Sequence, residues 1–500
     1  MYLLGYDVGS SSVKASLLDV STGKAVASAA APKKEMEIIA RKPGWAEQHP
    51  HLWWENLKVA TAEIRESAGA SPLENVRAIG ISYQMHGLVV VDRRQEVLRP
   101  SIIWCDSRAV DIGNRAFREI GQERCLTNLL NSPGNFTASK LRWIYENEPE
   151  IFERIHKIML PGDYIAMRLT GEIHTTPSGL SEGILWDFIR GDTARMVLDY
   201  FAIPAGLLAD VVPTFSDQGR LTASVAGELG LKSGIPVAYR AGDQPNNAFS
   251  LNVLEPGEVA ATAGTSGVVY GVGDRPSYDP LSRFNTFVHV NYGREAPRFG
   301  NLLCLNGTGI LYSWLKHNFM TVQDQSLSYE QMNALAGEAP VGSEGLIVLP
   351  YGNGAERILE NSNPGASFHG LGFNTHSRAH VLRAACEGIV FALSYGVRIM
   401  EKAGIPVETV RAGDANMFRS RLFAGAFATV LGAQVELFNT DGSQGAARGA
   451  GIGAGIWDYG EAFTGLEKTQ VIEPRKKEAS AFEDAYGRWL AVQERELRDS

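Results

Sequence analysis

The sequence predicts an α/β protein built from two homologous halves, each formed around a mixed sheet. Three observations predict it. At 500 residues the chain exceeds one ordinary domain. Strand-like and helix-like runs alternate along it. A strand, a tight Gly/Ser turn and a return strand occur at Leu3–Asp19 and again at Gly257–Tyr270, half a chain apart. That spacing is far too long for a solenoid and indicates duplication of a whole half.

The first device reads Leu3-Leu-Gly-Tyr-Asp7, a Gly/Ser turn through Ser12, and a second strand to Asp19. Further strands are expected at Ala78–Ser82, Leu88–Val91 and Pro100–Trp104, with helices at His51–Ser67 and Asp111–Ile120. Pro161 suits the first turn of a helix ending near Leu169, where its missing N–H costs nothing. The join is placed near Ile235–Asp243, giving halves 1–240 and 241–500. After the second device come a long apolar helix at Ser377–Lys402 and a strand at Glu408–Arg411. Helices at Phe418–Leu431 and Ser443–Trp457 follow, and the segment from Ala479 reads as an exposed amphipathic helix.

Composition narrows the function. An apolar fraction of 44% and a charged fraction of 21% describe a soluble globular chain with a sizeable core. Lys and Arg total 47 against 56 Asp and Glu, a net charge of −9, with no concentrated basic run. Nucleic acid and anionic membranes are therefore not expected partners. A polyanion such as ATP must be held by backbone N–H groups, a metal and a few placed side chains. No apolar stretch is long enough to span a bilayer, and the first residues lack the pattern of a signal peptide. The four cysteines are scattered without a CxxC, which fits a reducing, cytoplasmic setting and argues against a zinc site.

Four segments can carry chemistry. The loop Asp7-Val-Gly-Ser10-Ser11-Ser12-Val-Lys14 presents N–H groups suited to phosphate oxygens, beside a carboxylate able to hold hydrated Mg²⁺. A Gly/Ser hairpin is ordinarily only a hairpin, but Gly264-Thr265-Ser-Gly267 repeats the device, and two such turns across a cleft would grip a nucleotide's phosphates. Asp243-Gln244 follows a strand; the carboxylate is either a general base for a hydroxyl or a helix N-cap. Gln84-Met85-His86-Gly87, at a strand end, would suit a polyhydroxylated ligand or serve structure only. Trp104 with Asp106 and Arg108 offers an aromatic plate with an acid and a base, or a surface ion pair. Other patterns fail: there is no P-loop motif, and Gly449-Ala-Gly-Ile-Gly-Ala454 lies within a small-residue helix and reads as close packing. His376 and His380 share a helix face without a third ligand.

Taken in order, these segments resemble the FGGY family of carbohydrate kinases, and within it the xylulokinase branch. Further matches are Pro43-Gly-Trp-Ala-Glu-Gln-His-Pro50, Phe136-Thr-Ala-Ser-Lys140, Leu160-Pro-Gly-Asp-Tyr164, Leu349-Pro-Tyr351 and Arg383-Ala-Ala-Cys-Glu-Gly388. The resemblance implies two actin-like (ribonuclease H-like) domains with sugar and ATP in the cleft between them. It implies phosphorylation of a ketopentose, most nearly D-xylulose, with Asp243 as general base and Asp7 organising Mg²⁺. Gln84, Met85, His86 and Gln244 would contact the sugar, with Trp104 and Asp106 beside them. Ser10, Ser11, Ser12, Lys14, Gly264 and Thr265 would face phosphates, and Trp314, Ala412, Gly413 and Asn416 would lie along the nucleotide.

The segment Arg411-Ala-Gly-Asp-Ala-Asn416 departs from the Gly-Gly-Gly or Gly-Gly-Ala of relatives, and extra small residues precede Glu356-Arg357. Rival readings are kinases for L-ribulose, L-fuculose or gluconate and, more remotely, a non-kinase actin-like ATPase. Glycerol is disfavoured because glycerol-type relatives carry Arg-Glu where this chain has Met85-His86. A homodimer is an open expectation.

Overall fold

A computed structural model describes residues 1–322 and 325–499. Its first sheet comprises β1 (Tyr2–Val8), β2 (Val13–Asp19), β3 (Ala25–Ala31), β4 (Val76–Tyr83) and β5 (Val237–Gly242) in the order β5-β4-β1-β2-β3. β1, β2 and β3 run antiparallel, while β1, β4 and β5 run parallel. The pairing sets Asp7 opposite Lys14 on one side and Ser82 on the other. Helices α1 (Pro50–Ala68) and α2 (Pro161–Thr170) bury Trp53, Leu57, Tyr164 and Ile165 in the core shared with this sheet. Each begins with proline in its first turn. Helix α3 (Asp243–Ser250) starts where β5 ends.

The second sheet repeats the plan. Strands β6 (Gly257–Ala263), β7 (Gly267–Gly273), β8 (Asn285–Val288), β9 (Phe299–Leu305), β10 (Val407–Gly413), β11 (Gln434–Phe438) and β12 (Lys468–Ile472) lie in the order β8-β9-β7-β6-β10-β11-β12. Its central five, β9-β7-β6-β10-β11, reproduce the first sheet's directions, with three antiparallel and then two further parallel strands. The two halves are thus the actin-like pair that the resemblance implies. Helix α4 (Gly309–Phe319) follows β9, and α5 (Arg378–Lys402) runs through the second core with Leu382, Ile389, Leu393 and Val397 fully buried.

Helix α6 (Gly442–Gly453) belongs to the second half by sequence yet packs on β1, β4 and β5 of the first sheet. The approach is so close that a Cβ on Gly80 would stand 1.9 Å from the Ala446 carbonyl oxygen, and one on Gly5 2.0 Å from that of Ser443. A side chain on Gly449 would likewise run into the Tyr239 ring at 2.5 Å, so that motif is helix packing as the sequence indicated.

Several boundaries move. The strand expected at Pro100–Trp104 contracts to Ser101–Ile102. The helix expected from Phe418 begins at Arg421, where Ser420 accepts from the Phe423 N–H, and the helix expected to reach Trp457 stops at Gly453. The C-terminal helix α7 (Ala479–Asp499) is not exposed along its length. Its apolar stripe, Phe482, Ala485, Tyr486 and Trp489, joins the second core, and the Trp489 Nε1–H donates to the Val348 carbonyl at 3.0 Å. An amphipathic repeat has two sides, and the partner for its apolar side, the strand Ile347–Tyr351, lies far away in sequence.

Gly80→Ala is expected to destabilise the protein by about 1–3 kcal/mol, because the added methyl has no room between helix and sheet. Gly227→Ala, in a helix with nothing near the new methyl, should be neutral or stabilising. Urea unfolding of both variants checks the contrast, and equal midpoints would remove the close packing from its structural role.

Candidate active site

Asp7 closes β1 and its carboxylate Oδ1 accepts from the Ser82 Oγ–H at 2.9 Å. Burial raises its pKa, with Lys14 and Ser82 opposing and Asp441 adding a like charge. The first turn of α6 abuts it: a Cβ on Gly442 would lie 2.7 Å from Asp7 Oδ2. The positive end of that helix dipole therefore faces the carboxylate. Asp441 caps the helix by accepting from the Gln444 N–H at 2.9 Å.

Asp243 is the first residue of α3, with Gly242 at the cap position and no side-chain cap bond. The N-cap alternative therefore does not describe it. Half-buried, it is pushed up to about 7, first by burial and then by the negative charge of Asp7, while the amides of Gln244 favour ionisation. A carboxylate whose ionisation is opposed by a neighbouring carboxylate forms a place for a divalent cation or for a proton to be taken up. Asn246, one turn along, donates to the Gly442 carbonyl at 2.8 Å and ties α3 to α6.

The residues that follow β4 pack against the end of β5 just before Asp243: a Cβ on Gly242 would stand 2.6 Å from Met85 Cγ. Met85 is buried and Gln84 is 2% exposed, with neither amide atom hydrogen-bonded within the protein. His86 sits at φ 60° and its Nδ1 lies 2.8 Å from the Glu182 carbonyl. A carbonyl only accepts, so Nδ1 carries the proton. Burial, with Lys140 and Arg357 nearby, lowers the ring's pKa to about 3, so the neutral imidazole leaves Nε2 as an acceptor. Phe136 meets the ring edge-on at 4.8 Å. Lys140 was not among the expected site residues; its fully buried ammonium donates to the His86 and Ile103 carbonyls at 2.9 and 3.0 Å and is lowered to about 7 by burial.

One expected sugar contact, Asp106, is engaged elsewhere. Asp106 is fully buried and its carboxylate is engaged by Arg108 at 2.7 Å and by the Ala46 N–H. Arg108 also reaches Glu47 at 2.7 Å and stacks over Trp45 with its guanidinium 3.8 Å from the ring centroid. The ion pair weighed from the sequence is present, but in the interior. Trp104, 52% exposed, donates its indole N–H to Ser10 Oγ at 3.3 Å and so borders the first loop.

In that loop the Gly9 N–H donates to the Ser12 carbonyl at 3.0 Å, closing the turn, while Ser11 and Lys14 are exposed. The second loop is braced from behind: the Gly309 N–H and Thr308 Oγ1 donate to the Gly264 carbonyl at 2.9 and 3.1 Å. In front of it opens a cavity of about 500 Å³ lined by Gly264, Thr265, Ser313, Tyr329 and Asn416. Trp314 turns the other way, half exposed against Phe319 at 5.1 Å, because residues one apart on a helix face different directions. Ala412 is fully buried in β10, and neither it nor Gly413 lines the cavity. Tyr329 and Arg419, which do line it, carried no sequence signal beyond the nearness of Arg419 to Asn416. His376 and His380 make local contacts, and among the described residues no group of three metal-binding side chains exists.

The chain matches the models of the FGGY family of carbohydrate kinases, the N-terminal domain over residues 2–250 and the C-terminal domain over 259–456. It is 30% identical to the xylulose kinase of Escherichia coli K12 over 458 residues, covering 90% of this chain and 88% of the relative. A solved xyloylose kinase from Brucella ovis superposes with a TM-score of 0.89 at 27% identity, over 98% of both chains. The xylulose kinase of Rhodospirillum rubrum gives 0.87 at 28% identity, also over 98% of both. Two half-chain domain matches in the right order and full-length agreement in fold lead to one conclusion: the chain belongs to the FGGY family of carbohydrate kinases.

Proposed function

We propose that this kinase transfers the γ-phosphoryl group of ATP to the terminal hydroxyl of D-xylulose, with Asp243 as general base. The observation that carries the reading is the position and titration of Asp243. Its carboxylate lies within electrostatic reach of Asp7 and directly follows Gly242, which abuts Met85, and it is raised to about 7, where a base both exists ionised and accepts a proton with useful drive. The relatives named xylulose kinase support the sugar.

The sugar binds along Gln84-Met85-His86, its hydroxyls meeting the Gln84 amide and the bare Nε2 of His86. Asp243 takes the proton of the terminal hydroxyl as the oxygen attacks phosphorus. Thr265 and the backbone of both loops hold the phosphates, and the cavity at Tyr329 and Asn416 takes the nucleoside. FGGY kinases use ATP. The donor set fits Mg²⁺ only in part: Asp7 offers one carboxylate in a locally negative site, so phosphates and water would complete the coordination. When bound, the ion would neutralise charge developing on the transferred group. The proposed compartment is the cytoplasm, in keeping with four unpaired cysteines; among the described residues no helix is long and apolar enough to cross a membrane.

Asp243→Ala is expected to lower kcat by about 10²–10⁴-fold, near 3–5 kcal/mol of barrier, with a smaller effect on sugar binding. Near-normal turnover would take the base role away from it. In a coupled ADP-release assay, D-xylulose should stimulate turnover above L-ribulose, L-fuculose, gluconate, glycerol and no sugar. A different preferred sugar corrects the substrate, and equal turnover without sugar sinks the reading. Because the base works ionised, kcat/KM should fall with decreasing pH along an acid limb inflecting at or below about 7; a cation at Asp7 removes one of the two causes of the raised value. A profile flat down to about pH 5 would contradict this assignment.

A further inference from the structure

Glu182 ends the short helix Pro177–Glu182, which Thr176 caps by accepting from the Gly179 N–H. It reaches the sugar side of the cleft in two ways. Its carbonyl accepts the Nδ1–H of His86 at 2.8 Å. Its carboxyl, on a residue only 2% exposed, lies beneath Gly242, where a Cβ would stand 2.8 Å from Glu182 Oε2 and 2.6 Å from Met85 Cγ. Gly242 is the last residue of β5, and the next residue is Asp243. One residue thus touches the ring that borders the sugar and the peptide that carries the base.

Neither carboxyl oxygen of Glu182 has a hydrogen-bond partner of good geometry, so the side chain neither caps a helix nor closes an ion pair. A purely space-filling wedge at this position would be apolar, because burying a carboxyl costs several kcal/mol of hydration that Leu or Met would not lose.

We propose that Glu182 is a positioning residue for the sugar site, its carbonyl fixing the His86 ring and its side chain setting where the Asp243 carboxylate stands. The proposal rests on the reading of Asp243 as the base and His86 as a sugar contact. The groups facing the Glu182 carboxyl are Tyr83 and His86 at the end of β4, Lys140 from the helix Thr137–Asn147, Asp163 from α2, Asp243 from α3 and Tyr270 from β7. Arg240 of β5 stands behind Tyr83 and pairs with Asp163 at 3.2 Å. Burial, then the charges of Asp243 and Asp163, hold the Glu182 carboxyl well above the usual range, with Tyr83 opposing. Burial and those neighbouring charges favour its uncharged, protonated form. An uncharged acid supports the loop beside Asp243 without repelling the charge that Asp243 must carry.

The test compares E182Q and E182A in the full-length kinase. E182Q keeps shape and neutrality, so it should retain kcat/KM within about threefold and leave the acid limb in place. E182A should lose about 10²-fold in kcat/KM for the sugar, as expected for a displaced reacting group, while ATP affinity and the thermal midpoint stay near wild type. Full activity in E182A overturns the proposal, as does an equal loss in both variants. An acid limb that moves to lower pH in E182Q overturns it too, since that would mean an ionised Glu182. A substrate-free measurement separates this from the kinase reading. At neutral pH, the infrared difference between wild type and E182Q should show a protonated carboxylic acid C=O stretch that the variant lacks. If no sugar turns over, the kinase reading fails by itself; an absent band overturns the Glu182 proposal whatever the substrate.

Discussion

The places where Cβ atoms of residues 5 and 80 would sit are already taken by the backbone of α6, with Ser443 and Ala446 carbonyl oxygens 2.0 and 1.9 Å away. Much of the rest depends on this contact. It brings a helix encoded near residue 450 onto the sheet encoded at the start of the chain, so the two halves share an interior. It sets the α6 N-terminus against Asp7, and through Asn246 it locks α3, whose first residue is Asp243, to the same helix. The two carboxylates at the cleft floor are held by one helix that neither belongs to. Small residues are required throughout because a helix cannot lie this close to a strand with side chains between them.

Around that floor the structure separates polar groups that are satisfied from polar groups that are kept open. The Glu47–Arg99–Arg108–Asp106 cluster is buried, ion-paired and covered by Trp45 and Trp143. Such a cluster is poor evidence of stability, since desolvation offsets much of its attraction. It does pin the loop that carries Trp104 beside the first hairpin. Lys140 spends its donors on backbone carbonyls, one of them that of His86. The Gln84 amide, the His86 Nε2 and the Asp243 carboxylate, by contrast, retain hydrogen-bonding capacity, as a site for a polyhydroxylated ligand requires.

The misplacements from sequence have a common cause. Asp106 reads as a ligand in the sequence because the Ala46 N–H its carboxylate accepts, and the Glu47 that shares its partner Arg108, lie some sixty residues upstream. The resemblance implies Trp314 along the nucleotide, but which side of a helix faces a cavity is settled by the helix's rotation, and its neighbour Ser313 lines the cavity instead. The α7 stripe was visible in the sequence while the surface it covers was not. Glu182 gave no sequence signal, since nothing local distinguishes a glutamate at the end of a short helix from a solvated one.

The α/β class, the duplication, the two Gly/Ser hairpins and the strand-to-helix junction at Asp243 are all legible in the order of residues. Each is written in residues close together in the chain: period-two apolar runs, turn residues between them and a carboxylate where the pattern changes. That α6 returns to the first sheet, that Asp106 is held in an ion pair, and that His86 is neutral with Nδ1 protonated emerge only once the chain is packed. Those outcomes depend on burial and on partners dozens to hundreds of residues away. Local periodicity does not specify that geometry, because it records which face of an element is apolar and not what comes to cover it.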